Sequence, residues 1–262
     1  MSSGGPKSWF ESVSSENYNL LVEYLKTSEN LSEAEATLGV NALFGSSLVC
    51  IFLIFLALLA RKGLNAAKAR NGMDKYLADP NLSIRNFFEM FVGTIFGLAT
   101  DSLNKADSKK FFWLFGGLFI YIFSSNLIGV LPGGIPPTQS MSNNVAMATV
   151  VLLVFTVIGI SRQGVGYFTH MGGPVWWLFP LIFVIEFFGA FLIRPFSLSI
   201  RLTGNITGDH LVLGIAGNLV EWCLPVVVLA LGMFVSFIQA LVFTLLTIVY
   251  VQLSMPHDDE HH

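Results

Sequence analysis

Charge is scarce in this 262-residue chain: Asp, Glu, Lys and Arg make up only 12% of it, against about 25% in soluble globular domains. With 53% hydrophobic residues and 24 phenylalanines, that shortage excludes an ordinary soluble fold and indicates a polytopic membrane protein built as one bundle. Cysteine is nearly missing as well. Cys50 and Cys223 both stand in apolar runs, where a thiol packs as a small hydrophobe, and neither a disulfide framework nor a CxxC site is available. There is no internal repeat, no HExxH and no basic aromatic groove, which speaks against a repeat-built transporter, a zinc protease and a nucleic-acid binder in turn. No metal or cofactor is expected. The terminal HDDEHH reads as a solvated tail.

What is present is apolar and helical in length. Residues 43 to 60, 111 to 131 and 143 to 161 each suffice to cross a hydrocarbon core about 30 Å thick at about 1.5 Å per residue. Residues 82 to 103 are shorter and contain Glu89. They are expected to lie at the interface or within the protein. From Trp176 to Asn218 the chain is apolar almost throughout, broken by Pro180 and Pro195, and Glu221, Trp222 and Pro225 mark a turn before a last run from 226 to 252. The long stretch is either two spans broken near Arg194 and Pro195 or one steeply tilted helix. Nine of the 14 basic residues fall between 61 and 110, and none follows Arg201. The positive-inside bias makes that stretch cytoplasmic. The first forty residues lack the order of a signal peptide, and NYNLLVEYLKTSENLSEAEA suggests a short surface helix. The expected division is an extracytoplasmic segment 1–40, a membrane domain 41–255 of five or six helices, and a cytoplasmic tail 256–262. The N-terminus is then periplasmic, the C-terminus cytoplasmic, and the fold all-α.

The segment RPFSLSIRLTGNITGDHLVLGIAG places arginine in the middle of this lipid-compatible sequence. An arginine at mid-membrane costs about 2.5–3.5 kcal/mol on insertion scales, and a guanidinium cannot escape by losing its proton. Such a residue needs a partner or a watery cavity. On a helix, Arg194 lies about 20° and Asn205 about 40° from the face of Arg201, with Asp209 about 80° away and His210 on the opposite side. No carboxylate stands three or four residues from Arg201 to neutralise it. The later helix offers Gln239 at depth, which orients a guanidinium without neutralising it. A second constellation is His210 with Asp209 and Glu186, groups able to pass protons near neutral pH. Asn126, Ser142, Asn143 and Asn144 sit at span ends, as helix caps or as the lining of a watery vestibule.

RPFSLSIRLTGN, followed in the next helix by SFIQALVFTLLTIVY, and SNLIGVLPG with the PPT…SNN stretch resemble subunit a of the rotary F-type ATP synthase. The likeness runs from about residue 40 to 253. It implies two long tilted C-terminal helices packed against a rotating c-ring of proteolipids, each bearing a mid-membrane carboxylate, and two half-channels that open to opposite sides. The b-subunit peripheral stalk, other synthase subunits and membrane lipid are the further partners it implies, in a bacterial inner membrane. Arg201 matches the family's essential arginine, Asn205 and Gln239 the polar residues flanking it, and His210 a position of the periplasmic half-channel. Glu186 resembles an acidic residue of the preceding turn, one residue further from Arg201 than the pattern has it. Where a partner histidine or glutamate often stands, seven residues before Gln239, this chain has Gly232. The His210 relay must then use water, Asp209, Glu186 or Glu221. A stand-alone ion or solute transporter with Arg201 in its substrate or gating site is the rival reading.

Overall fold

The computed structural model describes Phe10 and residues 15–29, 31–68, 84–131, 134–164, 177–219 and 223–255. The described residues are helical and carry no strand: α1 (Ser15–Glu29), α2 (Glu33–Lys68), α3 (Ile84–Ser102), α4 (Lys105–Val130), a 3₁₀ turn (Pro137–Gln139), α5 (Met141–Gln163), α6 (Phe179–Phe188), a π turn (Gly189–Ile193), α7 (Arg194–Leu219) and α8 (Cys223–Leu253). Among the described residues, five stretches are long and apolar enough to cross a membrane: Glu33–Lys62, Lys105–Val130, Met141–Gln163, Phe179–Ala216 and Val226–Leu253. The turn at Glu221 and Trp222 and the 256–262 tail lie outside the described residues.

Local chemistry accounts for several boundaries. The surface helix expected near the N-terminus is two helices, because Ser32 starts a new one. The backbone amide of Ser32 donates to the Glu35 carboxylate (3.0 Å) and the Glu35 amide donates to the Ser32 hydroxyl (3.3 Å). This reciprocal box satisfies two amides at a helix start. α2 then runs unbroken through residue 40. α3 is not among the five candidate spans, and its Glu89 is exposed, while Ile95, Ala99 and Leu103 turn into the core. The long stretch after Trp176 is one helix, not two broken spans: α6, the π turn and α7 follow without interruption. Pro195 supplies the reason for the π turn. It has no N–H for the carbonyl of Phe191 and crowds it. The Arg194 amide instead donates to Gly189, five residues back, which is the wider π bond.

The core lies where α8 packs on α4 and α7 while α7 also packs on α5. Phe115 and Ile122 of α4, Val151 and Phe155 of α5, Leu202 and Ile206 of α7, and Phe243 and Ile248 of α8 are buried together. At one end of the bundle Arg162 of α5 pairs with Asp107 of α4. Four polar groups, three of them buried, link the helices toward the other end. Thr138 donates to Asn126 Oδ1 (2.6 Å), and the Asn144 amide donates to the Thr138 carbonyl (2.6 Å) and to Thr203 Oγ1 (2.7 Å). Asn126 and Asn144 thus cross-link helices where caps were one expectation, although Asn126 Nδ2 and Asn144 Oδ1 are left without a hydrogen-bond partner among the described residues. Thr203, tied this way, fixes the rotation of α7 about its own axis.

Candidate functional site

Leu198, Leu202 and Ile206 turn into the core, while Ser197, Arg201, Gly204 and Asn205 are all exposed. A side chain at Gly204 or Gly208 would meet nothing within 4 Å. The surface around the guanidinium is therefore a shallow strip of small residues, with exposed Phe196 and Ile200 on the same helix. Among the described residues Arg201 makes no ion pair. Beside it the Asn205 amide donates to Gln239 Oε1 at 2.6 Å. Gln239 thus engages Asn205 rather than the guanidinium, and its buried Nε2 has no hydrogen-bond partner.

Arg194 is in a different state. Its Nη2 donates to Glu186 Oε1 at 3.0 Å, and its guanidinium carbon lies 5.2 Å from the centre of the Tyr250 ring. Of the two arginines on this helix, one is compensated and one is not. Glu186 does not join His210 and Asp209. Twenty-four residues along one continuous helix separate Glu186 from His210, about 36 Å, so the second constellation of the sequence is two sites at opposite ends of the span.

His210 and Asp209 do come together, on a cavity of about 40 Å³ whose walls include Asn126, Gly129, Pro136, Gly232 and Ser236. That volume admits one to about three waters. His210 Nε2 lies 3.2 Å from where a Cβ would stand on Gly129 of α4, so the absence of that side chain makes room for the imidazole. Across the cavity, Asp209 Oδ2 lies 4.0 Å from the Cβ position of Gly232. The space left by Gly232 thus faces a carboxylate supplied from α7. A larger cleft of about 640 Å³ is lined by Ser142, Asn143, Thr203 and Thr207 and by Glu29 and Glu35. Ser142 and Asn143 accordingly fit the vestibule expectation and not the cap. Among the described residues no His, Cys, Asp and Glu cluster is arranged to hold a metal ion.

Sequence reasoning did not single out Gly129, Pro136, Ser236, Thr138 or Thr203. The signal for the first was the glycine inside SNLIGVLPG, quoted for its likeness and not for the room it leaves.

A family model described as ATP synthase A chain matches residues 43–252. The chain is similar to the ATP synthase subunit a of Geobacter sulfurreducens, 36% identical over 232 residues that cover 88% of this chain and 94% of that protein. It is also 36% identical to the ATP synthase subunit a of Sorangium cellulosum over 223 residues, 85% of each chain. To the ATP synthase subunit a 3 of Pelobacter propionicus it is 38% identical over 226 residues, 86% of this chain and 90% of that one.

Proposed function

The chain belongs to the ATP synthase A chain family, and on that premise we propose which of its residues carry protons and which way it faces. It is the proton-translocating stator subunit of a bacterial F-type synthase, a multi-pass inner-membrane protein without catalytic chemistry of its own. Its partners are the c-ring, the b-subunit and other synthase subunits.

Arg201 is the fixed charge that meets each ring carboxylate. A guanidinium stays protonated under all working conditions, so it lowers the affinity of an approaching carboxyl for its proton and holds it ionised. Once past, the carboxyl must regain a proton, because only the neutral form enters lipid cheaply. Rotation follows from the two sides of Arg201 having access to different compartments. The proton-motive force contributes about 2.3 kcal/mol per charge for each 100 mV. Asn205 and Gln239 hold each other beside the guanidinium and keep the α7–α8 seam polar without adding a competing charge. His210 and Asp209, with water in the cavity beside Gly232, form the inlet relay. Glu186 serves the other half-channel.

The orientation rests on charge. The basic stretch 61–110 is cytoplasmic under the positive-inside bias, and the Arg162–Asp107 pair joins the next basic loop end to the same side. The N-terminus and residues 1–40 are then periplasmic, residues 41–255 form the membrane domain, and residues 256–262 are cytoplasmic. The His210 end of α7 faces the periplasm and Glu186 the cytoplasm.

One observation carries the assignment: among the described residues Arg201 stands exposed without an ion pair, while Arg194, seven residues away, is paired. The test is ATP-driven proton pumping in inverted vesicles holding Arg201→Ala, with assembly and passive proton leak followed alongside. The expected outcome is an assembled complex without pumping and with a raised leak. Pumping near the parent level in an assembled complex would remove Arg201 from its role.

A further inference from the structure

The π turn and the ion pair across it belong together. Along an unbroken α-helix, residues eight apart stand about 80° from each other, whereas residues seven apart stand about 20° apart. Glu186 and Arg194 are eight apart, yet their side chains meet at 3.0 Å. The π turn at Gly189–Ile193 lies between them and absorbs one residue of phase. Helical side chains also lean toward the N-terminus, which aims Arg194 back at Glu186. Tyr250 of α8 then backs the guanidinium at 5.2 Å.

The same correction acts on the face of Arg201. In an unbroken helix Glu186 would fall about 60° to one side of Arg201, with Asn205 about 40° to the other, an arc of about 100°. With one residue taken out of phase, Arg194, Glu186 and Asn205 all lie within about 40° on the same side of Arg201. We infer that the π turn is a register device, and that Arg194 is the positioning residue that locks it. Together they set Glu186, Arg201 and Asn205 on a single polar stripe. From 186 to 205 that stripe is about 28 Å long, close to the full hydrocarbon thickness of about 30 Å. The inference rests on the reading of Arg201 and Glu186 given above.

Deletion of Gly189 tests it, because Gly189 has open space around its Cβ position and its loss brings Glu186 to seven residues from Arg194, so that an α-helix kinked at Pro195 keeps the stripe without the extra residue. The whole synthase is assembled with ΔGly189, and ΔIle200 is the control, a deletion inside regular helix that swings everything before it by about 100°. ATP-driven pumping is expected within about twofold of the parent for ΔGly189 and down about tenfold or more for ΔIle200, since small displacements of positioned groups are costly. A tenfold loss in an assembled ΔGly189 complex overturns the inference. If ΔGly189 does not assemble, Arg194 decides. Arg194→Lys is expected to stay within about threefold of the parent and Arg194→Met to lose about tenfold, because only the former keeps a cation for Glu186. Equal activity of these two variants overturns the inference. Arg201→Ala is run beside them. If it still pumps, the reading of the site itself has failed. If it is inactive while ΔGly189 is as poor as ΔIle200, only the register device has.

Discussion

Gly129→Ala puts the geometry of the inlet to a direct test. The added methyl would stand 3.0 Å from Pro136 Cγ and 3.2 Å from His210 Nε2. Both contacts are tighter than ordinary packing. The ring of Pro136 is stiff and starts the 3₁₀ turn, so the imidazole is the group that gives way. Overpacking of this kind costs about 1–3 kcal/mol. Where that cost falls on the alignment of His210 with the cavity, about 1.4 kcal/mol corresponds to a tenfold slower step. The expected result in inverted vesicles is ATP-driven pumping reduced about tenfold in a complex that assembles normally. A second substitution, Pro136→Ala, removes Cγ and with it the closer contact. The double variant is expected to recover more than about half of the parent rate, as relief of steric strain requires. Parent-level pumping in assembled Gly129→Ala would show that His210 is not held against α4 as described. A double variant no better than the single one would show that the Pro136 contact is not the cause, since the 3.2 Å contact with His210 remains in both.

Two further outcomes follow from the same geometry. Asn144→Leu removes both hydrogen bonds to Thr138 and Thr203. At about 0.6 kcal/mol each and at most about 1.7 within membranes, the loss is about 1–3 kcal/mol. It should appear as a lower unfolding midpoint of the detergent-solubilised complex, and an unchanged midpoint would show that the network does not hold α7. Asp209→Gly should lower pumping at least about tenfold if the carboxylate relays protons. Adding Gly232→Asp, which returns a carboxylate to the same cavity from α8, should restore most of it, and failure of that exchange would remove Asp209 from the relay.

The spans were legible because lipid imposes length and hydrophobicity on each segment separately. The same holds for the shared stripe of Arg201 and Asn205, which needs only the helical period. Relations that depend on two distant segments were not legible. Asn144 meets Thr203 across 59 residues of sequence, and a span-end asparagine looks the same whether it caps a helix or bridges two. Gly129 is notable only once His210 is seen beside it. Glu186 was misgrouped for a local reason: uniform rotation of 100° per residue misses a turn widened by Pro195, and sequence proximity of acid and histidine says nothing about which end of a long helix each occupies. The choice between a broken and a continuous span after Trp176 had the same root, since proline can end a helix or merely distort it.

The unpaired guanidinium also bears on how the chain reaches its finished state. A copy inserted alone presents Arg201 to acyl chains, at about 2.5–3.5 kcal/mol. Docking a carboxylate-bearing ring removes that penalty, and a shift of this size is worth about two orders of magnitude in association. The charge that works during turnover therefore also acts once, during biogenesis. It makes the orphan subunit the less stable species and favours a surface able to answer a positive charge over one that is merely greasy.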